Sequence, residues 1–212
     1  MNVSALFLGL GLAAASSCVQ AQTVTFGDTP PGQLPKAFEA GLTGGGPPPR
    51  WEVVADPTAM DGKALAQLSA DPTDLRFPLA IYLPNAPADV EVSTRFKPVS
   101  GKEDQAGGLV ARLKDRNNYY VTRANALENN VRFYRVVNGR RQQLASADAK
   151  VAPGAWHTLT LRVDGNRFTV SFDGKQLLSH ADATFREPGK VGLWTKADSV
   201  THFESLVVKP LR

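Results

Sequence analysis

The sequence predicts an all-β protein, folded as a two-sheet antiparallel sandwich of the jelly-roll type. Short segments alternate apolar and polar residues with period two, as strands with one buried face do. Asp-Gly pairs at 164–165 and 173–174 and an Asn-Gly pair at 138–139 punctuate such segments, and these pairs favour the positive φ of tight hairpin turns. No segment keeps the 3.6-residue period of an amphipathic helix.

The composition is that of an ordinary globular protein, with 212 residues, 42% of them hydrophobic and 21% charged. This apolar content excludes an intrinsically disordered chain, and the length suits one all-β domain. A single cysteine excludes an internal disulfide and a cysteine-based zinc site. The net charge of +4 is a mild excess, and without a nucleic-acid-reading motif it does not indicate a nucleic-acid partner.

The N-terminal segment 1–21 is predicted to be a secretory signal peptide. Its apolar run, residues 5–15, is too short to span a bilayer and has the length of a signal-peptide core. Two processing sites compete: cleavage after Ala21, and acylation of Cys18 as in a lipoprotein. Cleavage after Ala21 is favoured because Ala15 stands where lipoprotein sites usually carry Leu. Both alternatives predict export to the periplasm or beyond, with no membrane span.

Residues 22–50 are predicted to form an N-terminal strand and a wrap rich in Pro and Gly. Six of the fifteen prolines and a glycine triplet lie between residues 29 and 49, a composition that supports neither a helix nor a strand interior. We therefore expect a long loop or an ordered wrap there.

Residues 51–212 are predicted to form the jelly roll. Each predicted strand is a short run of alternating or β-branched residues bounded by turn residues. The predicted strands are 51–55, 64–69, 79–83, 90–96, 109–113, 119–124, 131–137, 158–163, 167–172, 191–196 and 203–208.

Several turn and strand-pairing motifs resemble those of a known group. They are Gly-Gly-Leu-Val-Ala-Arg at 107–112, Asn-Tyr-Tyr-Val-Thr-Arg at 118–123, Trp-His-Thr-Leu at 156–159, Phe-Asp-Gly-Lys at 172–175 and Gly-Lys-Val-Gly-Leu-Trp at 189–194. The chain resembles the concanavalin-A-like lectin and glucanase jelly rolls. Within that group it is most similar to the bacterial 3-keto-disaccharide hydrolase family, and more distantly to laminin G domains.

The resemblance implies a carbohydrate-related role. Our first hypothesis is a secreted carbohydrate-binding module with a glycan-facing concave sheet. The alternatives are a hydrolase or lyase that acts on 3-keto-disaccharides or related glycosides, and a structural or protein-binding β-sandwich. Because the motifs concern turns and strand pairing, they support the fold more directly than any activity.

A candidate binding face follows from the alternation of residues. If the apolar members of three strands point into the core, large polar and aromatic residues lie on their other face. Aromatic rings stack on the apolar face of a sugar, and arginines and amides hydrogen-bond its hydroxyls. The alternative is that the wrap covers this face and the arginine stems only pack on it. The candidate ligand-binding residues are Arg112, Arg123, Asn125, Arg132, Tyr134, Trp194 and Lys196.

The positive charge is concentrated in one part of the chain. Between Arg112 and Arg141 there are eight basic and two acidic residues, a net charge of +6 within a chain of +4. Such a segment suits an anionic glycan bound through bidentate arginine contacts. The other interpretation is that several of these arginines are solvated residues of hairpin turns.

Candidate catalytic and metal-binding residues are few. Glu128 and Asp198 lie beside the predicted face, and each is a candidate general base for proton abstraction next to a keto group or, alternatively, a carboxylate that caps a turn. The sequence has no clustered carboxylates of the glucanase type and no metal-ligand spacing. The likeness to laminin G domains suggests calcium, with Asp28, Asp104 or Asp115 as ligands that the spacing does not select between.

Overall fold

The computed structural model describes residues 20–211. The apolar run of the predicted signal peptide and Cys18 lie outside these residues. Within them, no helix is long and apolar enough to cross a membrane.

Residues 20–211 form fifteen β-strands and no helix. In chain order the strands are β1 Gln22–Thr25, β2 Phe38–Gly44, β3 Trp51–Ala55, β4 Lys63–Gln67, β5 Arg76–Ala86, β6 Val90–Ser100, β7 Ala106–Asp115, β8 Asn118–Asn125, β9 Asn130–Val137, β10 Arg140–Asp148, β11 His157–Asp164, β12 Arg167–Phe172, β13 Lys175–Ala181, β14 Gly189–Trp194 and β15 Val200–Pro210.

The strands make two antiparallel sheets, which confirms the predicted all-β sandwich. The eight-stranded sheet has the order β13-β12-β11-β6-β15-β4-β3, with β1 paired to β15. The seven-stranded sheet has the order β10-β9-β8-β7-β14-β5-β2. Neighbours in the sheets are often distant in sequence, as β14 between β7 and β5 shows, which is the connectivity of a jelly roll rather than of a simple meander.

The main core lies between the two sheets and follows from the alternation. In β11 and β12, the inward residues Leu161 and Val163 pair with Val170 and Phe168, and all four are buried. The intervening threonines and arginines of these strands face outward. Burial of such large aliphatic and aromatic side chains is the dominant favourable contribution to folding.

The Pro/Gly-rich segment differs from the prediction, because β2 lies within it. The six prolines fall before Phe38 or after Gly44, so the seven residues of β2 keep every backbone N–H that a ladder requires. β2 pairs with β5 and forms one edge of the seven-stranded sheet. Residues 29–49 are therefore two proline-rich loops that flank a strand, not one loop.

The seven-stranded sheet is strongly curled. β10 and β5 are five strand spacings apart in the sheet order, about 24 Å in a flat sheet. The guanidinium of Arg141 on β10 nevertheless lies 4.7 Å from the ring centroid of Phe77 on β5. The face of this sheet that points away from the main core therefore curls inward over its own side chains, and we call it the concave face.

Candidate functional site

The strand register sets one row of side chains across the concave face. Arg132 on β9 pairs with Arg123 on β8, Arg123 pairs with Gly108 on β7, and Gly108 pairs with Trp194 on β14. A Cβ on Gly108 would lie 3.1 Å from Cβ of Arg123 and 3.2 Å from the Trp194 ring. The absence of a side chain at Gly108 thus lets the arginine and the indole lie side by side.

A second apolar cluster forms the floor of the concave face. The Trp194 ring stacks on Phe77 with a centroid distance of 5.5 Å and an interplanar angle of 18°. Trp194 lies on the predicted face, but it is fully buried, and Tyr134 is only 3% exposed. The members of the cluster are Phe77, Leu79, Ile81, Ala106, Val110, Leu113, Tyr119, Val121, Tyr134, Val136 and Trp194. Apolar side chains on the outer face of a sheet are normally exposed, so the curl of the sheet is what buries them.

One end of the concave face is closed by contacts between distant strands. The hydroxyl of Thr43 on β2 bonds the Tyr119 hydroxyl at 2.8 Å and donates to the carbonyl of Arg116. A Cβ on Gly139, in the β9–β10 turn, would lie 4.0 Å from Cγ2 of Thr43. Both ends of the sheet order, β2 and β10, therefore meet at this end of the concave face.

A first polar network joins four of the predicted site residues. Glu128 accepts a hydrogen bond from Nη2 of Arg123 at 2.7 Å and lies 3.2 Å from Nη1 of Arg132. Arg123 also donates to the Tyr134 hydroxyl at 3.3 Å and to the side chain of Asn130. Burial raises the pKa of Glu128, but the neighbouring Arg123, with Asn130 and Arg132, outweighs it and holds that pKa below its usual range.

A second polar network joins Asn125 and Lys196. The Lys196 ammonium lies 2.6 Å from Asp104 and 2.8 Å from Asp74. Asn125 donates to the other oxygen of Asp104 at 2.6 Å. Both residues thus hold a buried carboxylate, and Asp104, a candidate calcium ligand in the sequence, has a cation as its partner instead.

Arg141 belongs to the concave face, although the sequence did not select it. Its guanidinium lies 4.4 Å from the Tyr134 ring, 4.7 Å from Phe77 and 5.8 Å from Trp194. β10 has little apolar alternation, so no strand was predicted there and no face could be assigned to Arg141. Its only signal in the sequence was its place in the basic segment.

Arg112 corrects the predicted face, because it does not join the other candidates. Its backbone has a φ of 48°, and the β7–β8 register shifts after Ala111, so the alternation breaks at this residue. The guanidinium is 2% exposed and donates to the carbonyls of Ala88, Phe185 and Gly165. Arg112 therefore ties three loops together and has few donors left for a ligand.

Asp198 lies in a turn, where it caps backbone amides. It accepts hydrogen bonds from the N–H groups of Lys102 at 2.6 Å, Glu103 at 3.1 Å and Asp104 at 3.0 Å. Burial raises the pKa of Asp198, but these N–H donors outweigh it and lower the pKa below its usual range. A carboxylate so occupied is a weak proton acceptor.

The proline-rich loop after β2 is fixed beside the β14–β15 connection. The carbonyl of Pro47 accepts a hydrogen bond from Nε of Arg76 at 3.2 Å, and Arg76 also donates to the carbonyl of Ala197 at 3.0 Å.

Within residues 20–211, no group of three or more His, Cys, Asp or Glu side chains is placed to hold a metal ion.

The sequence matches one family model. The model describes the C-terminal lectin domain of galactocerebrosidase, and residues 89–211 match it. No curated protein matches the sequence.

Solved structures share the fold at low sequence identity. The carbohydrate-binding module CBM66 from Bacillus subtilis is 20% identical, with a TM-score of 0.63 over 82% of this chain and 97% of that chain. Domain 4 of AbnA, a GH43 extracellular arabinanase from Geobacillus stearothermophilus solved with arabinotriose, is 16% identical, with a TM-score of 0.56 over 89% and 90% of the two chains. A Bacillus subtilis protein of unknown function with a galectin-like fold is 12% identical, with a TM-score of 0.58 over 81% and 89%. These similarities show a lectin-type jelly-roll fold.

Proposed function

Since the chain belongs to the family of the galactocerebrosidase C-terminal lectin domain, we propose that it is a carbohydrate-binding module whose ligand occupies the concave face. The observation that carries the proposal is the convergence of the hydrogen-bonding groups of Arg123 and Arg132 with the Tyr134 ring on the concave face, above the buried Trp194. Aromatic rings and planar donors in a concave site are what a sugar ring requires. CBM66 and the arabinanase domain are described as carbohydrate-binding or bound to a sugar, and they support the same class of ligand.

A glycan array with the purified protein, followed by calorimetry on the best ligand, tests the proposal. Arg132→Ala is the informative variant, because its side chain is 31% exposed at the edge of the concave face and its loss spares the core. We expect it to weaken binding about tenfold. Arg162→Ala is the matched control, since Arg162 forms only surface pairs on the other sheet. Absence of any glycan ligand, or equal effects of the two substitutions, would contradict the proposed site.

The resemblance to the 3-keto-disaccharide hydrolase family supplies a second candidate function. Glu128 is the better placed of the two predicted bases, because its side chain is 37% exposed at the concave face. Its pairing with two arginines and its lowered pKa favour an anchoring role over proton abstraction. Assay of monosaccharide release from a 3-keto-disaccharide decides this, since activity that persists without both Glu128 and Asp198 would exclude them as the base.

We also propose that the mature protein is exported. The support is the apolar run at residues 5–15 and the absence of cysteine after Cys18. Mass spectrometry of the periplasmic or secreted protein should find an N-terminus at Gln22. A lipid-modified Cys18 would establish the alternative, an anchored lipoprotein, and an intact N-terminal Met1 would contradict export.

A further inference from the structure

Arg141 is a partly buried cation without an anionic partner among residues 20–211. Among residues 20–211 its side chain makes no hydrogen bond and no ion pair, and its Nη1 atom is buried with no acceptor in reach. Three aromatic rings surround it, but ring faces offset only part of the cost of removing a guanidinium from water. A buried charge of this kind is normally paired.

Three other residues of the concave face each have one buried hydrogen-bond donor without an acceptor in the described chain. Nε of Arg123, Nε of Arg132 and Nε1 of Trp194 are buried and also lack a partner. Together with Arg141 they supply four of the seven unpartnered buried side-chain polar atoms in residues 20–211. Because buried polar groups in folded proteins are nearly always bonded, unpaired donors on one face indicate a missing acceptor.

On the concave face the ion pairs involve every named cation except Arg141. The Glu128 carboxylate faces Arg123 and Arg132, and the Asp104 and Asp74 carboxylates face Lys196. These three cations and three carboxylates balance one another, and Arg141 is left without an ion-pair partner among the described residues. The hydroxyls of a neutral sugar would satisfy donors but would leave this charge without a counterion.

The arrangement around Tyr134 shows where an acidic group would bind. The Arg123 and Arg141 guanidinium carbons lie 6.0 Å and 4.4 Å from the same Tyr134 ring centroid. Arg123 already bonds Glu128 and Asn130, so Arg141 is the guanidinium that is left for the charge-assisted hydrogen bonds of an oxyanion.

Building on the proposed function, we propose that the concave face recognises an acidic saccharide, whose single oxyanion, a carboxylate or a sulfate ester, pairs with Arg141. The ring hydroxyls accept hydrogen bonds from Arg132, whose side chain is 31% exposed at the edge of the face. Glu128, Asp104 and Asp74 keep their present partners, so the ligand neutralises Arg141 alone.

Calorimetry at low ionic strength with three matched oligosaccharides tests the inference: a neutral one, its uronate counterpart and its sulfated counterpart. We expect at least one acidic ligand to bind about tenfold tighter than the neutral one. The comparison of uronate with sulfate identifies which oxyanion the site takes. In Arg141→Met the acidic and neutral ligands should bind within about twofold of each other, whereas Arg140→Met, the same change at an exposed neighbour, should keep the preference.

Thermal unfolding of the free protein gives a second readout that needs no ligand. Arg141→Met removes a partly buried, unpaired charge and keeps an apolar side chain over the rings, so the melting temperature should rise or stay level. A lowered melting temperature together with an unchanged acid preference would assign Arg141 a structural role and overturn the inference. Equal binding of neutral and acidic glycans to the unaltered protein would overturn it and leave the proposed function intact. Failure of every glycan to bind would instead contradict the proposed function.

Discussion

Tyr134 connects the functional side chains of the concave face. Its hydroxyl accepts a hydrogen bond from Arg123 at 3.3 Å, and its ring carries the Arg141 guanidinium at 4.4 Å. One residue thereby positions a donor at its edge and a cation on its face. Tyr120 on β8 points instead into the main core. Its hydroxyl donates to Asp182 and accepts from the Phe185 N–H.

The substitutions Tyr134→Phe and Tyr120→Phe should therefore both lower stability, but only Tyr134→Phe should weaken glycan binding. Tyr134→Phe removes the acceptor for Arg123, and we expect several-fold weaker glycan binding with a loss of about 1 kcal/mol in the free energy of unfolding. Tyr120→Phe leaves the Phe185 N–H unpaired in the core, so it should cost about 2 kcal/mol and leave binding unchanged. Denaturant unfolding and calorimetry measure both quantities. The assigned roles would be contradicted if Tyr120→Phe weakened glycan binding and Tyr134→Phe did not.

Asp198 should make the stability of the protein sensitive to acid. Its folded-state pKa is lowered below the ordinary value of 3.8, so the stabilisation is complete above that value and is lost as the pH falls through the folded pKa. Asp198→Asn should cost about 2 kcal/mol at neutral pH, because a charged acceptor of three N–H groups is lost. Melting temperatures of both proteins between pH 7 and pH 2 should converge at the acid end. A constant difference over that range would show that the charge of Asp198 does not contribute.

At the scale of elements, the alternation predicted the interior strands and missed three at the edges. β2, β10 and β13 were not predicted, and each is an edge strand. An edge strand has one neighbour and little buried surface, so its sequence carries polar residues where an interior strand carries apolar ones. For β2 the flanking prolines hid a strand that itself contains none.

For the candidate site, too, the sequence predicted the residues of interior strands and missed the one on an edge strand. Arg123, Arg132 and Tyr134 lie on interior strands, where period two assigns the face, and the structure brings them together. Arg112 follows a register shift, and Arg141 lies on an edge strand, so the alternation could place neither. The curl of the sheet, which buries Trp194, depends on contacts between strands far apart in sequence and leaves no local signal.

The packing of β7 between β8 and β14 depends on Gly108. A Cβ at this residue would lie 2.6 Å from the Thr122 carbonyl oxygen, a distance that backbone cannot relieve without shifting the strand. Gly108→Ala should cost about 2 kcal/mol in stability and weaken glycan binding, because Arg123 and Trp194 must move apart. Gly45→Ala is the control, since its Cβ would make only an ordinary contact of 3.7 Å with Thr73. Equal stability of the two variants would contradict this account of β7.

At the scale of the whole molecule, the concave face exists because the seven-stranded sheet closes on itself. Thr43 on β2 reaches Tyr119 and Arg116, and the β9–β10 turn approaches the same threonine. Burial raises the pKa of Tyr119 to about 12, so its phenol stays protonated and hydrogen-bonded at every physiological pH. The two edges of the sheet are thus joined through a few buried hydroxyl contacts.

Thr43→Val tests whether this closure shapes the concave face. The isosteric change leaves the buried Tyr119 hydroxyl without a partner, and we expect a loss of about 2 kcal/mol in stability. Amide hydrogen exchange should accelerate in β2 and in the β9–β10 turn, and glycan binding should weaken because the sheet opens. Thr94→Val, which removes one hydroxyl bond to the Ser205 carbonyl in the other sheet, should lower stability but leave exchange near Thr43 and glycan binding as they are. If Thr43→Val loses stability while binding and exchange match those of Thr94→Val, the curl is held by the strand pairing and floor packing, and the edge contact only adds stability.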